Sequence, residues 1–120
     1  MSKDDYQVLV YKILLYYYGC LKRKITFDSE TFHHSIGKDI DENYLADIFN
    51  MMSEEGYLNG VAITKAWGNI LILSCDLSDI KITAKGIEYL TENSSMAKVK
   101  EVLKSNGGII GSLISIVLPK

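Results

Sequence analysis

Side chains able to do chemistry are few and scattered along this chain of 120 residues. Its two cysteines, Cys20 and Cys75, lie far apart and form no CxxC pair, so we interpret them as buried, reduced thiols. The adjacent histidines His33 and His34 would project about 100° apart on a helix and could not readily chelate one ion. Because no third ligand is in view, we predict that the chain holds no metal.

Catalytic signatures are missing from the sequence as well. The sequence shows no recognisable catalytic arrangement of Ser, His and Asp, of Cys and His, or of paired carboxylates. The phosphate-binding patterns GxxxxGKS/T and GxGxxG do not occur. We therefore predict a protein that is not an enzyme, with no catalytic residue and no cofactor.

The charges are distributed unevenly, although the net charge is only −2. Residues 39–64 contain six acidic side chains and no Lys or Arg, whereas residues 96–120 contain four lysines and a single acid, Glu101. The overall charge therefore does not steer the chain to nucleic acid or to an anionic membrane. The side chains that could still contact duplex DNA are basic groups, two asparagines and the only tryptophan: Lys22, Arg23, Lys24, Lys38, Asn43, Asn50, Lys65 and Trp67.

Helix signals predict the elements that would position these groups. Asp41 is a typical N-cap and Gly56 a typical helix stop, so a helix is expected between them. Thr83 in the same way would cap a helix that begins at Ala84. The predicted helices span 4–24, 29–36, 41–55, 84–92 and 95–105.

The segment between two of these helices indicates a β-hairpin. Its β-rich runs, 61–64 and 70–73, are joined by a turn that contains Gly and Asn. Trp67 lies at the tip of this turn, where it either folds back on the sheet or contacts a partner. We predict a hairpin over 58–74, whose tip would be the wing of a winged-helix domain.

Helix, hairpin and helix in this order are typical of winged-helix domains, which belong to the α+β class. We predict a winged helix (winged helix-turn-helix) over 1–106 with an added C-terminal helix, followed by an apolar tail over 107–120 that packs at an interface. The core is expected to contain Ile13, Tyr17, Leu45, Ile48, Phe49, Leu58, Ile82, Ile87 and Leu90.

The first helix is apolar over more than one face. Its polar stripe, Asp5, Lys12, Gly19 and Arg23, leaves several large apolar side chains near the solvent side. Either the apolar tail of the same chain covers this surplus or a second copy does, and we predict a homodimer. The residues expected at its interface are Val8, Leu9, Leu15, Tyr16, Ile110, Leu113, Ile114 and Val117.

No membrane span is expected in this chain. A helical tail over 109–118 would extend roughly 15 Å, about half the hydrocarbon core of a bilayer. The start of the chain also lacks the basic-then-apolar order of a signal peptide. Together with the cysteines, these features predict a cytoplasmic protein.

Three segments resemble the YjcQ family of small winged-helix proteins from Gram-positive bacteria and their phages. They are Glu55-Gly-Tyr-Leu-Asn-Gly-Val61, Ile82-Thr-Ala-Lys-Gly-Ile-Glu-Tyr-Leu-Thr-Glu-Asn93, and Met96 with the basic helix that follows. The resemblance covers about residues 40–105 and implies the winged-helix fold. The family has no assigned chemistry, so the resemblance supplies no catalytic residue.

Two classes of function follow from these observations. A DNA-binding transcriptional regulator would place the third helix in the major groove, supported by lysines of the wing and of helix ends. That helix carries acids and no Lys or Arg, and acids oppose binding to phosphates. We therefore favour a protein-interaction or self-associating regulatory module, with DNA binding as the alternative.

Overall fold

The computed structural model describes residues 5–118, which form six α-helices and four short strands. The helices are α1 (Tyr6–Leu21), α2 (Ser29–Ile36), α3 (Glu42–Glu54), α4 (Ala84–Glu92), α5 (Ser94–Asn106) and α6 (Gly108–Val117). The strands are β1 (Leu58–Asn59), β2 (Ile63–Lys65), β3 (Leu71–Leu73) and β4 (Lys81–Ile82). The predicted helix start at Asp4 and the tail residues 119–120 lie outside the described part of the chain.

The five predicted helices are confirmed, with differences of a few residues at their ends. α1 ends earlier than expected because Lys22 is its C-cap and Arg23 takes a left-handed conformation with φ 62°. The predicted N-caps are also confirmed. The Asp41 carboxylate accepts hydrogen bonds from two amides in the first turn of α3, and the Thr83 side chain caps α4.

Two small antiparallel sheets replace the single predicted hairpin. β2 pairs with β3, with Ile63 opposite Leu73 and Lys65 opposite Leu71, so the hairpin is confirmed over 63–73. The prediction that it begins at Leu58 is wrong, because β1 pairs with β4 instead. The result is a helix-rich α+β fold whose element order is compatible with a winged helix.

α1 is buried on all sides within the single chain. Val8, Leu9, Leu15 and Tyr16, which we expected at a dimer interface, are at most 2% exposed. The expected polar stripe is also wrong, because Lys12 is only 7% exposed. The physical reason is that α1 packs against α2, α3, α4, α5 and α6, so apolar residues are needed around its whole circumference.

The C-terminal segment forms α6 and packs on α1 and α5. Ile109 and Ile116 stay exposed on α6. The four residues expected at a dimer interface are buried inside the same chain and are not available to a second copy: Ile110, Leu113, Ile114 and Val117. A Cβ added to Gly19 would lie 2.9 Å from Val117 Cγ2, so this glycine permits the close approach of α6. The tail therefore covers α1. Self-association stays a prediction, and the burial of all eight residues proposed for its interface does not support it.

The core joins α1, α3 and α6 in one cluster. Eight of the nine predicted core residues are buried, and Ile87 is half-buried against the cluster. Phe49 is fully buried in this cluster, with ring centroids 6.5 Å from Tyr17 and 6.2 Å from Phe32. Five aromatic rings meet here in edge, tilted and stacked contacts: Tyr16, Tyr17, Phe27, Phe32 and Phe49.

Removing the Phe49 ring should therefore open a cavity at the centre of the core. We expect Phe49→Ala to lower the free energy of unfolding by about 3–5 kcal/mol. Met51→Ala, on the exposed side of the same helix, should change it by less than about 0.5 kcal/mol. Urea denaturation followed by circular dichroism measures both, and similar effects for the two variants would contradict this placement.

Candidate interaction surface on α3 and the hairpin

One junction of short polar contacts joins the end of α3 to α4. The Thr83 amide donates to the Tyr57 carbonyl over 3.0 Å, and the Thr83 hydroxyl donates to the Gly56 carbonyl over 2.5 Å. The same hydroxyl oxygen accepts from the Gly86 amide over 3.0 Å. The Tyr57 ring also stacks on Tyr89, with centroids 4.5 Å apart. These contacts fix where the chain leaves α3 and therefore where the hairpin segment begins.

Gly86 allows this junction to close. A Cβ at position 86 would collide with the Tyr57 carbonyl oxygen and would press on the Ile82 side chain. The requirement at this position is therefore for the smallest residue and not for an unusual backbone conformation. This glycine belongs to the strand-to-helix segment that resembles the YjcQ family.

The exposed face of α3 is acidic. Glu42, Asp47 and Glu54 are exposed, and Glu55 follows as the C-cap. Met51 is 45% exposed on the same helix, which contains no Lys or Arg. The helix thus presents a negatively charged surface with one apolar side chain on it.

Trp67 projects from the tip of the β2–β3 hairpin and is 94% exposed. The turn beneath it is closed by the Ala66 amide, which donates to the Ile70 carbonyl over 2.7 Å. Gly68 and Asn69 take left-handed conformations within this turn. The Trp67 side chain therefore does not fold back on the sheet, which was one of the two alternatives.

The hairpin also exposes apolar side chains along β3. Ile70 and Ile72 are exposed, while Leu71 and Leu73 between and beside them are half-buried. Because successive strand residues point to opposite faces, the isoleucines form the outer face and the leucines the inner one. The sequence predicted this strand but not its outer face, since all four residues are apolar and show no alternation.

A groove of about 680 Å³ lies between the start of α3 and β3. Leucines line much of it, including Leu45 and Leu73, and the carboxylates of Asp41 and Glu42 lie along it. Asn43 reaches across, because its Nδ2 donates to the Leu71 carbonyl over 3.5 Å. The groove therefore combines an apolar wall with acidic groups and has no lysine or arginine among its lining residues.

The eight residues considered as DNA contacts fall into two groups. Those on the hairpin, on α3 or in the loop before it are Lys38, Asn43, Asn50, Lys65 and Trp67, and those at the end of α1 are Lys22, Arg23 and Lys24. In the first group, Lys65 and Trp67 belong to the hairpin itself, and Asn43 of α3 donates to the hairpin backbone. Lys22 has a structural role that the sequence did not indicate: its Nζ donates to the Val117 carbonyl over 2.6 Å at the end of α6.

A smaller pocket of about 260 Å³ lies at the end of α1 and is lined by both Arg23 and Lys81 of β4. Lys81 was not among the predicted contact residues. Cys20 also lines this pocket, and burial raises the pKa of its thiol although nearby Lys81 partly opposes the rise. The protonated thiol is therefore favoured, which does not suit a nucleophile.

Within residues 5–118, no group of three or more His, Cys, Asp or Glu side chains is placed to hold a metal ion. No helix in the same range is long and apolar enough to cross a bilayer.

These features define a helix-rich α+β protein with an acidic helix beside an exposed hairpin. The profile of the YjcQ family, described as YjcQ protein, matches residues 11–106, so the chain belongs to this family. The match confirms the resemblance seen in the sequence, and it ends at the last residue of α5, before α6. Comparison with curated proteins and with solved structures returned no match.

The collision at Gly86 yields a stability prediction with an internal control. Gly86→Ala should lower the free energy of unfolding by about 2–3 kcal/mol, because backbone atoms must move apart to admit the methyl group. Gly111→Ala, in α6 with nothing near its Cβ position, should raise it by about 0.5–1 kcal/mol. Urea denaturation compares the two, and a neutral Gly86→Ala would show that the junction tolerates a side chain.

Proposed function

We propose that this YjcQ-family chain is a non-enzymatic winged-helix module that binds a basic partner protein through α3 and the hairpin. In this proposal α3 corresponds to the helix that winged-helix proteins place on DNA, and the β2–β3 hairpin is the wing. The observation that carries it is the acidic, exposed face of α3 beside Trp67, which is 94% exposed at the hairpin tip.

The exposed tryptophan separates this proposal from the simpler idea of a solvated acidic surface. Charged side chains on a helix face need no partner, because water solvates them well. A fully exposed tryptophan leaves a large apolar surface in water, and tryptophan is among the residues that most often dominate binding energies at protein interfaces. Ile70 and Ile72 extend this apolar surface along the hairpin.

The charge on α3 favours a basic protein over both DNA and a second copy. Phosphates would be repelled by Glu42, Asp47 and Glu54, and the neighbouring basic groups Lys38 and Lys65 do not lie on the helix. A two-fold contact through the same surface would bring the acids of one copy against those of the other. A positively charged partner surface gains from the same field, which speeds its association.

Binding to DNA remains the second candidate, through Lys65 on the hairpin and the basic groups at the end of α1. Lys22 is the weakest of these, because its ammonium group already caps α6. The adenine-reading candidates Asn43 and Asn50 would have to act without a basic side chain on their own helix. Cross-linking from the hairpin tip would distinguish nucleic acid from a protein partner.

Photo-cross-linking from the hairpin tip tests the proposal. With Trp67→p-benzoylphenylalanine in host cells, we expect cross-links to a protein whose contacting surface is rich in Lys and Arg. The double charge reversal Asp47→Lys with Glu54→Lys should reduce their yield by roughly tenfold. Glu92→Lys, on an exposed position of α4, is the matched control and should leave the yield unchanged.

The outcomes are separable by mass spectrometry of the cross-linked species. Cross-links only to nucleic acid would support the DNA-binding alternative instead. A protein partner whose yield is insensitive to the double charge reversal would contradict the role of α3. Cross-links only between copies of this chain would identify self-association as the activity of this surface.

A further inference from the structure

We infer that the partner is held as an added β-strand, with an extended peptide segment docked along the outer edge of β3 in the groove beside α3. The segment would carry apolar side chains at alternate positions and at least one Lys or Arg. This inference rests on the proposed function and specifies how the same surface would recognise its partner.

The hydrogen-bond pattern of the hairpin shows which backbone groups of β3 are available. The Ser74 amide donates to the Ala62 carbonyl over 2.9 Å and the Ala66 amide donates to the Ile70 carbonyl over 2.7 Å. In an antiparallel pair, hydrogen-bonded positions alternate with non-bonded ones, so Ile72 in the middle of the strand also bonds to β2. The amides and carbonyls of Leu71 and Leu73 must then point away from β2.

This outer edge of β3 has no strand partner within residues 5–118, because β3 pairs only with β2. No backbone hydrogen bond to another segment is formed there by Leu71 or Leu73 either. Asn43 donates to the Leu71 carbonyl over 3.5 Å, a bond that is weak at that length, and α3 packs against β3. An unpaired strand edge of this kind is a template for an additional strand.

The groove beside this edge fits an extended apolar segment. A guest strand would lie about 4.8 Å from β3 on the groove side, where it would displace the Asn43 amide from the Leu71 carbonyl. Its inward side chains would meet Leu45, Leu73 and Leu77, which line the groove. Its other side chains would point outward, so an alternating pattern is required in the guest.

Charge in the groove selects a basic guest. The Asp41 carboxylate is already engaged by the amides of Asn43 and Tyr44 at the helix N-cap, over 3.1 and 3.0 Å. Glu42 is exposed beside it and lines the same groove, so its carboxylate can pair with a Lys or Arg of the guest. The β3 edge of a second copy would instead bring Glu42 against Glu42.

A synthetic peptide in which valine and lysine alternate, with both termini blocked, tests the inference on the full chain. Binding is followed by the fluorescence of Trp67, the only tryptophan, and by amide hydrogen exchange. We expect exchange at the Leu71 and Leu73 amides to slow on binding. We also expect Glu42→Gln to weaken binding by roughly tenfold, with Glu92→Gln as the neutral control.

Two N-methylated versions of the peptide provide the sharpest control. In an added strand, alternate guest amides face β3, so methylation of one alternate set should abolish binding while methylation of the other set should be tolerated. Equal sensitivity of the two sets, with unchanged exchange at Leu71 and Leu73, would overturn the strand addition but leave a basic partner on α3. Failure of the unmethylated peptide to bind would also overturn the strand addition. The proposed binding of a basic protein is tested separately, by cross-linking from position 67.

Discussion

The contact between the first turn of α4 and the Tyr57 carbonyl is the constraint on which the arrangement of the surface depends. Thr83 bonds to the backbone of Gly56 and Tyr57 and at the same time caps α4 through the Gly86 amide. Because Gly86 has no side chain, the two backbones approach closely. The end of α3 and the start of α4 are thereby held together, and the chain between them must leave as β1, the hairpin and β4.

α1 provides the second constraint, because the other helices must cover it on every side. A helix that is apolar all around is stable only inside a core. α5 and α6 complete this cover, and the Lys22 ammonium ties the end of α1 to the last turn of α6. Most of this apolar surplus is buried inside the chain. Leu21, Val102, Ile109 and Ile116 stay exposed on α1, α5 and α6, whereas Trp67, Ile70 and Ile72 share the hairpin.

Local signals in the sequence were sufficient for the elements of the fold. The caps at Asp41 and Thr83 and the stop at Gly56 predicted α3 and α4 to within a residue, because capping depends on nearby side chains alone. Long-range contacts could not be predicted from the sequence. Nothing local indicates that β1 pairs with β4, or that α6 packs on α1 beside Gly19, so the hairpin was placed too early and the dimer surface was assigned to residues that are buried. The acidic character of the candidate surface was predictable from composition, whereas the exposure of Trp67 and the free edge of β3 required the structure.

Chemical-shift mapping of the full chain would show whether α3 and the hairpin bind a basic protein. Backbone amides would be followed during titration with the partner identified by cross-linking, and in a parallel titration with duplex DNA. We expect the partner to perturb the exposed face of α3 and residues 63–73, and we expect DNA to leave them unchanged. Perturbations by the partner confined to Lys22, Arg23 and Lys81 at the end of α1, or stronger perturbation of α3 by DNA, would contradict this expectation.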